Sequence, residues 1–407
     1  MVHDTAPPAA KTRSVLRSPA FLRLWSATTA SGIATWALPF VLGLAVLSRS
    51  LTAVELGVLL AARTAGFLAA VPVSGVLADR YARRQVVLWS GLISALAAPV
   101  LAAFVGNSLL LAAVAAAAMG AGQGACRPAF SALTAEVVSV DQRQQANAAM
   151  TMSIRVTTLV APGLTALLAL VVNTQGLLLG IGALWLVAAF VPPAGSGQVA
   201  AVASRAGFVT EFLDGVREAR RHPWFLAGLG ALSAVIATGY SATGVILPLV
   251  SRDRYDTEAV LAGALTAYTL GALAGAVLMA RWRPRAAGWT GLFGLALYGF
   301  APLVLLLPVH PFVVIAVYAV AGLGIDLFNV PWFTATQREV DPAKLARVSS
   351  LDFLMSYGLA PVGLALIAPA ISAFGAAPVL VVCSVVCFAA PGLAALVPSS
   401  RDFGPRR

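Results

Sequence analysis

Charge is scarce in this sequence. Asp, Glu, Lys and Arg make up 11% of its 407 residues, where a soluble domain carries about 25%. Lysine is nearly absent, with only Lys11 and Lys344, so arginine supplies the positive charge. The three cysteines, Cys126, Cys383 and Cys387, are too scattered for a disulfide framework or a thiolate metal site. His3, His222 and His310 lie far apart and form no ligand pattern. There is no Gly-x-x-x-x-Gly-Lys phosphate loop and no Gly-x-Ser-x-Gly nucleophile turn. These absences argue against an enzyme, a bound cofactor or metal, and hydrolysis of ATP by this chain. Strict period-2 alternation is missing too, which argues against a membrane β-barrel.

What is present is apolar length. Hydrophobic residues make up 59% of the chain, and they fall in twelve runs, roughly 20–47, 54–78, 85–105, 108–134, 145–171, 175–193, 224–250, 258–280, 288–307, 311–335, 348–373 and 376–397. A run of about 20 apolar residues matches one helical crossing of a bilayer. The expected fold class is an all-α membrane protein with twelve transmembrane helices in two six-helix, pseudo-symmetric halves.

The net charge of +11 reads as positive-inside bias rather than a nucleic-acid surface. With the N-terminus placed in the cytoplasm, Lys11, Arg13, Arg17, Arg80, Arg83, Arg84, Arg143, the group Arg205 to Arg221, Arg281, Arg283, Arg285, Arg338, Lys344, Arg347 and the C-terminal arginines all fall inside. Only Arg49, Arg252 and Arg254 fall outside. Both termini are therefore expected in the cytoplasm, in a multi-pass protein of the cell (cytoplasmic) membrane. The first eighteen residues are polar and Pro/Ala-rich, and the first apolar run is too long for a removable leader, so no signal peptide is expected.

Five segments follow: a tail at 1–18, a six-helix bundle at 19–193, a cytoplasmic linker at 194–222, a second bundle at 223–398 and a tail at 399–407. The linker opens on Gly195-Ser196-Gly197 and turns amphipathic. Phe208, Phe212 and Val216 share one side, with Glu211, Asp214, Arg217, Glu218, Arg220 and Arg221 on the other, which predicts a helix on the membrane surface.

The two bundles repeat. Pro128-Ala-Phe130-Ser-Ala132 returns as Pro331-Trp-Phe333-Thr-Ala335, and Glu136-Val137 returns at the same offset as Glu339-Val340. Ala161-Pro162 returns as Ala360-Pro361, and Val76-Leu77 as Val277-Leu278. The second copy has Ala280 where the first has Asp79. Duplication of six helices is the mark of a transporter whose site lies between its halves.

Gly75-x-Leu77-x-Asp79-Arg80-x-x-Arg83-Arg84 resembles the loop 2–3 signature of the major facilitator superfamily, lacking only the glycine expected where Ala82 stands. Ala61-Ala-Arg63, Arg127-Pro128-Ala129, Gln145-Ala146-Asn147, Gln337, Arg347-Val-Ser-Ser350 and Pro361-x-Gly363 resemble the bacterial efflux branch that includes enterobactin-exporter-like secretion transporters. The resemblance covers residues 15–397. Two features depart from it. Ser31-Gly-Ile-Ala-Thr35-Trp36 lacks the acid often found in the first helix of that branch, and Ala161-Pro162-Gly163 departs from the antiporter signature of the fifth.

The resemblance implies that Gly75, Asp79, Arg80, Arg83 and Arg84, with Glu136 at the same membrane level, form a latch that closes the cytoplasmic side. A carboxylate there can also cap the N-terminus of a neighbouring helix. The plainer alternative is a turn with solvated charges that only sets topology. Arg63, Arg127 and Asp326 lie deep in apolar runs, with Arg155 nearer the cytoplasmic end. Such residues face a cavity or a partner. Asp326 is the acid expected at mid-depth and the candidate proton site, and a static salt bridge to Arg127 or Arg63 is the other reading. Gln123 and Asp326 are repeat-equivalent, which predicts that both face a central cavity. Trp36, Tyr240, Asn329, Trp332 and Tyr357 complete that cavity, with ordinary helix packing as the competing role for each.

The function expected is secondary active transport by alternating access, with proton-coupled efflux of a small amphiphilic compound such as a drug, siderophore or secondary metabolite. The partners expected are that substrate, protons and bilayer lipid, for a monomer. An importer or lipid transporter of the same fold is the alternative. A non-transporting sensor would need a soluble domain larger than these tails.

Overall fold

A computed structural model describes residues 14–195 and 207–404. The Ser196–Ala206 part of the expected linker lies outside the described residues, as do the side chains of Phe208, Tyr357 and Pro361. The first six crossings are α1 (Pro19–Leu47), α2 (Ala53–Arg80), α3 (Arg83–Phe104), α4 (Leu109–Val137), α5 (Arg143–Leu168) and α6 (Thr174–Phe190). Helix α7 (Phe208–Arg220) follows the linker. The second six are α8 (Pro223–Tyr255), α9 (Ala259–Arg281), α10 (Ala287–Leu306), α11 (Pro311–Glu339), α12 (Leu345–Phe374) and α13 (Ala376–Ala395). Among the described residues, eleven helices are long and apolar enough to cross a bilayer, and α6 is apolar but shorter at 17 residues.

Local chemistry sets the helix starts. Ser18 accepts from the Phe21 N–H, with Pro19 as the first helical residue of α1. Thr52 and Glu55 form a reciprocal capping box at α2, and Asn173 caps α6. The α12–α13 turn passes through Gly375 at φ 83°, a left-handed conformation that favours glycine. Two helices depart from regular geometry. Ile236–Tyr240 inserts a π turn halfway along α8, and Leu297–Gly299 tightens α10 into a 3-10 turn.

The repeat is visible in how helices cross. Gly66 lies against the Ala117 carbonyl and Gly120 against the Arg63 carbonyl, so α2 and α4 meet backbone to backbone. Gly271 against Ala319 and Gly322 against Tyr268 make the same crossing between α9 and α11. Any Cβ there would strike a carbonyl, which is why small residues occupy these seams.

Both ends of the described chain lie at one face. The Val15 N–H points to Gln145 at the start of α5, while Arg338 at the end of α11 donates to the Asp402 carbonyl. At that face α5 and α11 meet through Arg143, which donates to the Gln337 carbonyl at 2.5 Å.

Helix α7 forms at the expected place, but its orientation corrects the expectation. Glu211 and Glu218 are buried rather than solvated. Glu211 pairs with Arg80 of α2 at 2.7 Å, and Glu218 pairs with Lys344 ahead of α12 at 2.8 Å. They are seven residues apart and share a face, so the acidic stripe docks on basic groups of both bundles.

Candidate functional site

Between the halves lies a cavity of about 960 Å³. Trp36, Gln123, Arg127, Tyr240 and Asn329 line it. Leu261 near the start of α9 and Pro248 near the end of α8 also line it, so it extends toward the face away from the chain ends. Asn147, Gln337 and Asp352 belong to its opposite, inner part.

That inner part is a polar floor. Asn147 of α5 and Gln337 of α11 exchange amide hydrogen bonds at 3.0 and 3.1 Å. Asn147 also donates to Thr334 at 3.0 Å, and Gln337 donates to the Ser131 carbonyl at 3.3 Å.

Below the floor lies the Gly75–Arg84 segment. Gly75 packs on α12, where an added Cβ would lie 2.5 Å from the Ser350 hydroxyl. Asp79 caps the start of α12: its oxygens accept from the Ala346 and Arg347 N–H groups at 3.2 and 3.1 Å. It also accepts from Arg347 Nε at 3.0 Å. A carboxylate on a helix N-terminus meets both unpaired N–H groups and the positive end of the dipole. Arg83 pairs with Glu136 at 2.8 Å and donates across the halves to the Pro342 carbonyl. Arg84 does not cross; it donates to the Pro192 and Phe190 carbonyls at the end of α6.

The second copy of this segment is built differently. Ala280 offers no acid, and Gln144 at the start of α5 instead donates to the Met279 and Trp282 carbonyls at 2.6 and 2.7 Å. Arg283 donates to the Asp141 carbonyl at 2.7 Å.

At mid-depth the expected charge partners are corrected. Asp326 binds neither Arg127 nor Arg63. Its partner is Arg155, near the middle of α5, through Nη2 at 2.6 Å and Nε at 2.9 Å. Asn329 adds a third donor at 3.0 Å. Asp326 is 0% exposed and sits behind Arg155 rather than facing the cavity. Sequence spacing along one helix does not reveal which cation a neighbouring helix brings to it. Arg63 donates to the Thr35 carbonyl at 3.1 Å and to Gln123 at 2.7 Å, which ties α2 to α1 and α4.

Trp332 is a second correction. It is 1% exposed and lies behind the cavity wall, stacked on Phe225 and Phe328 with ring centroids 4.9 and 5.2 Å away. Trp224 and Phe403 close this aromatic cluster, which recruits the indole away from the cavity. Two polar groups reveal their surroundings only in three dimensions, although Arg347 was already marked by the Arg347-Val-Ser-Ser350 stretch. Arg347 gains its role from Asp79, and Asp352 lines the cavity floor. An acid within the eleventh apolar run was the one available signal for Asp352.

Comparison with known proteins gives the same architecture. The structure is similar to that of the human organic anion transporter MFSD10 (TETRAN), with TM-score 0.69 and 16% identity over 92% of this chain and 98% of that one. It is similar to a bacterial homologue of the iron transporter ferroportin in an outward-facing state, with TM-score 0.72 and 17% identity over 92% and 96%. It is also similar to the E. coli fucose:proton symporter FucP, with TM-score 0.69 and 16% identity over 93% and 99%. No curated protein sequence matches the chain. Residues 24–363 match the Major Facilitator Superfamily. With twelve apolar helices among the described residues, in two related halves around a central cavity, the chain belongs to the major facilitator superfamily and has the fold of a membrane transporter.

Proposed function

We propose that this protein is a secondary active transporter that works by alternating access and exports a small amphiphilic compound in exchange for protons. The observation that carries this reading is the Arg155–Asp326 pair. It joins the two halves at mid-depth, beside a cavity floored by hydrogen bonds at one face and extending toward the other. If the halves rock against each other, this pair and the floor bonds must part, and that step is where ion and substrate binding can be tied to movement.

On this reading the face with the chain ends is cytoplasmic, as the clustering of basic residues argues, and the cavity stands open to the outside. The Asp79–Arg347 and Arg83–Pro342 contacts then act as the latch. An amphiphile suits the lining, which combines Trp36 and Tyr240 with polar Gln123, Asn329 and Arg127.

The test uses inverted vesicles with an imposed pH gradient and two probes, cationic ethidium and anionic carboxyfluorescein. The expected result is accumulation of at least one probe that stops when the gradient is collapsed. Accumulation indifferent to the gradient removes proton coupling. Uptake confined to right-side-out vesicles makes the protein an importer.

A further inference from the structure

The cavity floor holds a carboxyl group that the mid-depth pair leaves unused. Asp352 lies about two helical turns into α12, is 4% exposed and lines the cavity. Its Oδ1 is buried without a hydrogen-bond partner. Beside it stand the Trp332 indole and the Ser356 hydroxyl. Trp332 Nε1 and Ser356 Oγ are likewise buried without partners, so three unsatisfied polar atoms converge at one place. Native structures rarely leave such groups unpaired, and those that do commonly hold a water or ion or take part in function.

Asp352 makes no ion pair among the described residues. The charged groups on the helices packed against α12 are engaged elsewhere. Asp79 and Arg80 of α2 hold Arg347 and Glu211. Glu136 of α4 holds Arg83, and Asp326 of α11 holds Arg155. On α7, Glu218 holds Lys344 and faces His222, which precedes α8. Arg338 and Glu339 at the end of α11 pair with each other. Arg127 of α4 lines the same cavity, and the Tyr240 ring of α8 faces Tyr298. On α13, Cys387 lies near Thr238, and Cys383 is buried.

The contrast with Asp326 is chemical. Asp326 accepts three hydrogen bonds, two from the Arg155 guanidinium and one from Asn329. A buried carboxyl with no cation beside it is cheaper to keep as the neutral acid than as the ion. We propose that Asp352, not Asp326, carries the proton exchanged during transport. This rests on the proton-coupled reading given above. With the cavity open to the outside, Asp352 binds a proton from that solution and forms an O–H bond. When the floor opens to the other side, that bond breaks and the proton leaves to the cytoplasmic solution. The carboxylate left behind can then accept from the Trp332 N–H and the Ser356 O–H. One proton crosses per cycle, and no other group need change charge.

The test needs no knowledge of the substrate. Dicyclohexylcarbodiimide adds to protonated carboxyl groups in apolar surroundings, and peptide mass spectrometry locates the adduct. Purified full-length protein is labelled across a pH series. The expected result is an adduct on Asp352 that falls by up to about tenfold per pH unit above its midpoint, with Asp326 unlabelled. Asp352→Asn should abolish that adduct, and Asp352→Glu should retain one at the same position. An adduct on Asp326 with Asp352 bare overturns the proposal, as does labelling of Asp352 that ignores pH. The vesicle assay decides proton coupling separately: wild-type transport indifferent to the gradient removes coupling itself, while a wild type that is coupled with Asp352 unlabelled removes only this assignment.

Discussion

A carboxylate at mid-bilayer persists only when donors hold it, and Asp326 has three. Removing one partner of a buried pair costs about 3–5 kcal/mol, because the other charge is left stranded. Asp326→Asn is therefore expected to lower the thermal midpoint in detergent markedly. The double variant Asp326→Asn/Arg155→Gln should recover part of the loss, and the double-mutant cycle measures the coupling. Gly75 makes a different kind of contact. Gly75→Leu places side-chain atoms where Ser350 stands, so it should pry α2 from α12. A cysteine introduced at Gln337, with the native cysteines replaced, should then react faster with a maleimide. An unchanged rate would mean that the close approach is not needed to keep this face shut. At this scale, legibility depended on whether a residue's role was local. Asp79 was readable because a charge ending an apolar run must sit at a membrane boundary. The partner of Asp326 was not, because Arg155 comes from a helix half a chain away.

At the scale of elements, α7 ties the halves together. Glu211 reaches α2, and Glu218 reaches the segment before α12. Burial opposes the charged form of Glu218, but its hydrogen bond and charge attraction to Lys344, with help from His222 and Arg221, outweigh it and hold its carboxyl below the usual range. A lowered carboxyl stabilises the folded contact above the range of a free glutamate and ceases to do so as pH falls through its own lower value. Protection of α7 against hydrogen exchange, measured relative to the unfolded chain at each pH, should therefore hold from neutral pH down to the ordinary carboxylate range and fall only below it. Glu218→Gln should lower that protection and remove its fall at acid pH. The sequence marked the helix but not its face, because an amphipathic pattern does not say whether the polar side meets water or a basic neighbour. Likewise, the apolar run of α8 gave no sign of the π turn at Ile236–Tyr240. Within that turn Gly239 packs closely against Cys387 and Tyr298, a contact no periodicity reveals.

At the scale of the whole molecule, twelve crossings and a duplicated half were legible, because bilayer thickness fixes helix length and the repeated Pro, Phe and Glu positions mark the copies. The closed face was not legible, since it depends on which state the chain occupies. If the halves rock, Asn147 and Thr334, which are hydrogen-bonded at 3.0 Å, must separate in every cycle. Cysteines at these two positions, joined by a short reducible bridge, are expected to stop vesicle transport, and a reductant should restore it. Transport that continues through the bridge would rule out rocking at this seam.

The exchange of Asp79 for Ala280 gives the closed face two unlike edges. One edge is fastened by charge, Asp79 to Arg347, and the other by the neutral amide of Gln144 on the carbonyls that end α9. Asp79 is buried, so dissolved salt screens the charged edge little, and the two edges differ in what must part: a charge pair on one, amide–carbonyl bonds on the other. The face should therefore behave as a door rather than a pair of shutters. On the proposed latch, the α2–α12 edge is the bolt, which gives way only when Asp79 and Arg347 part, and the α5–α9 edge is the hinge side.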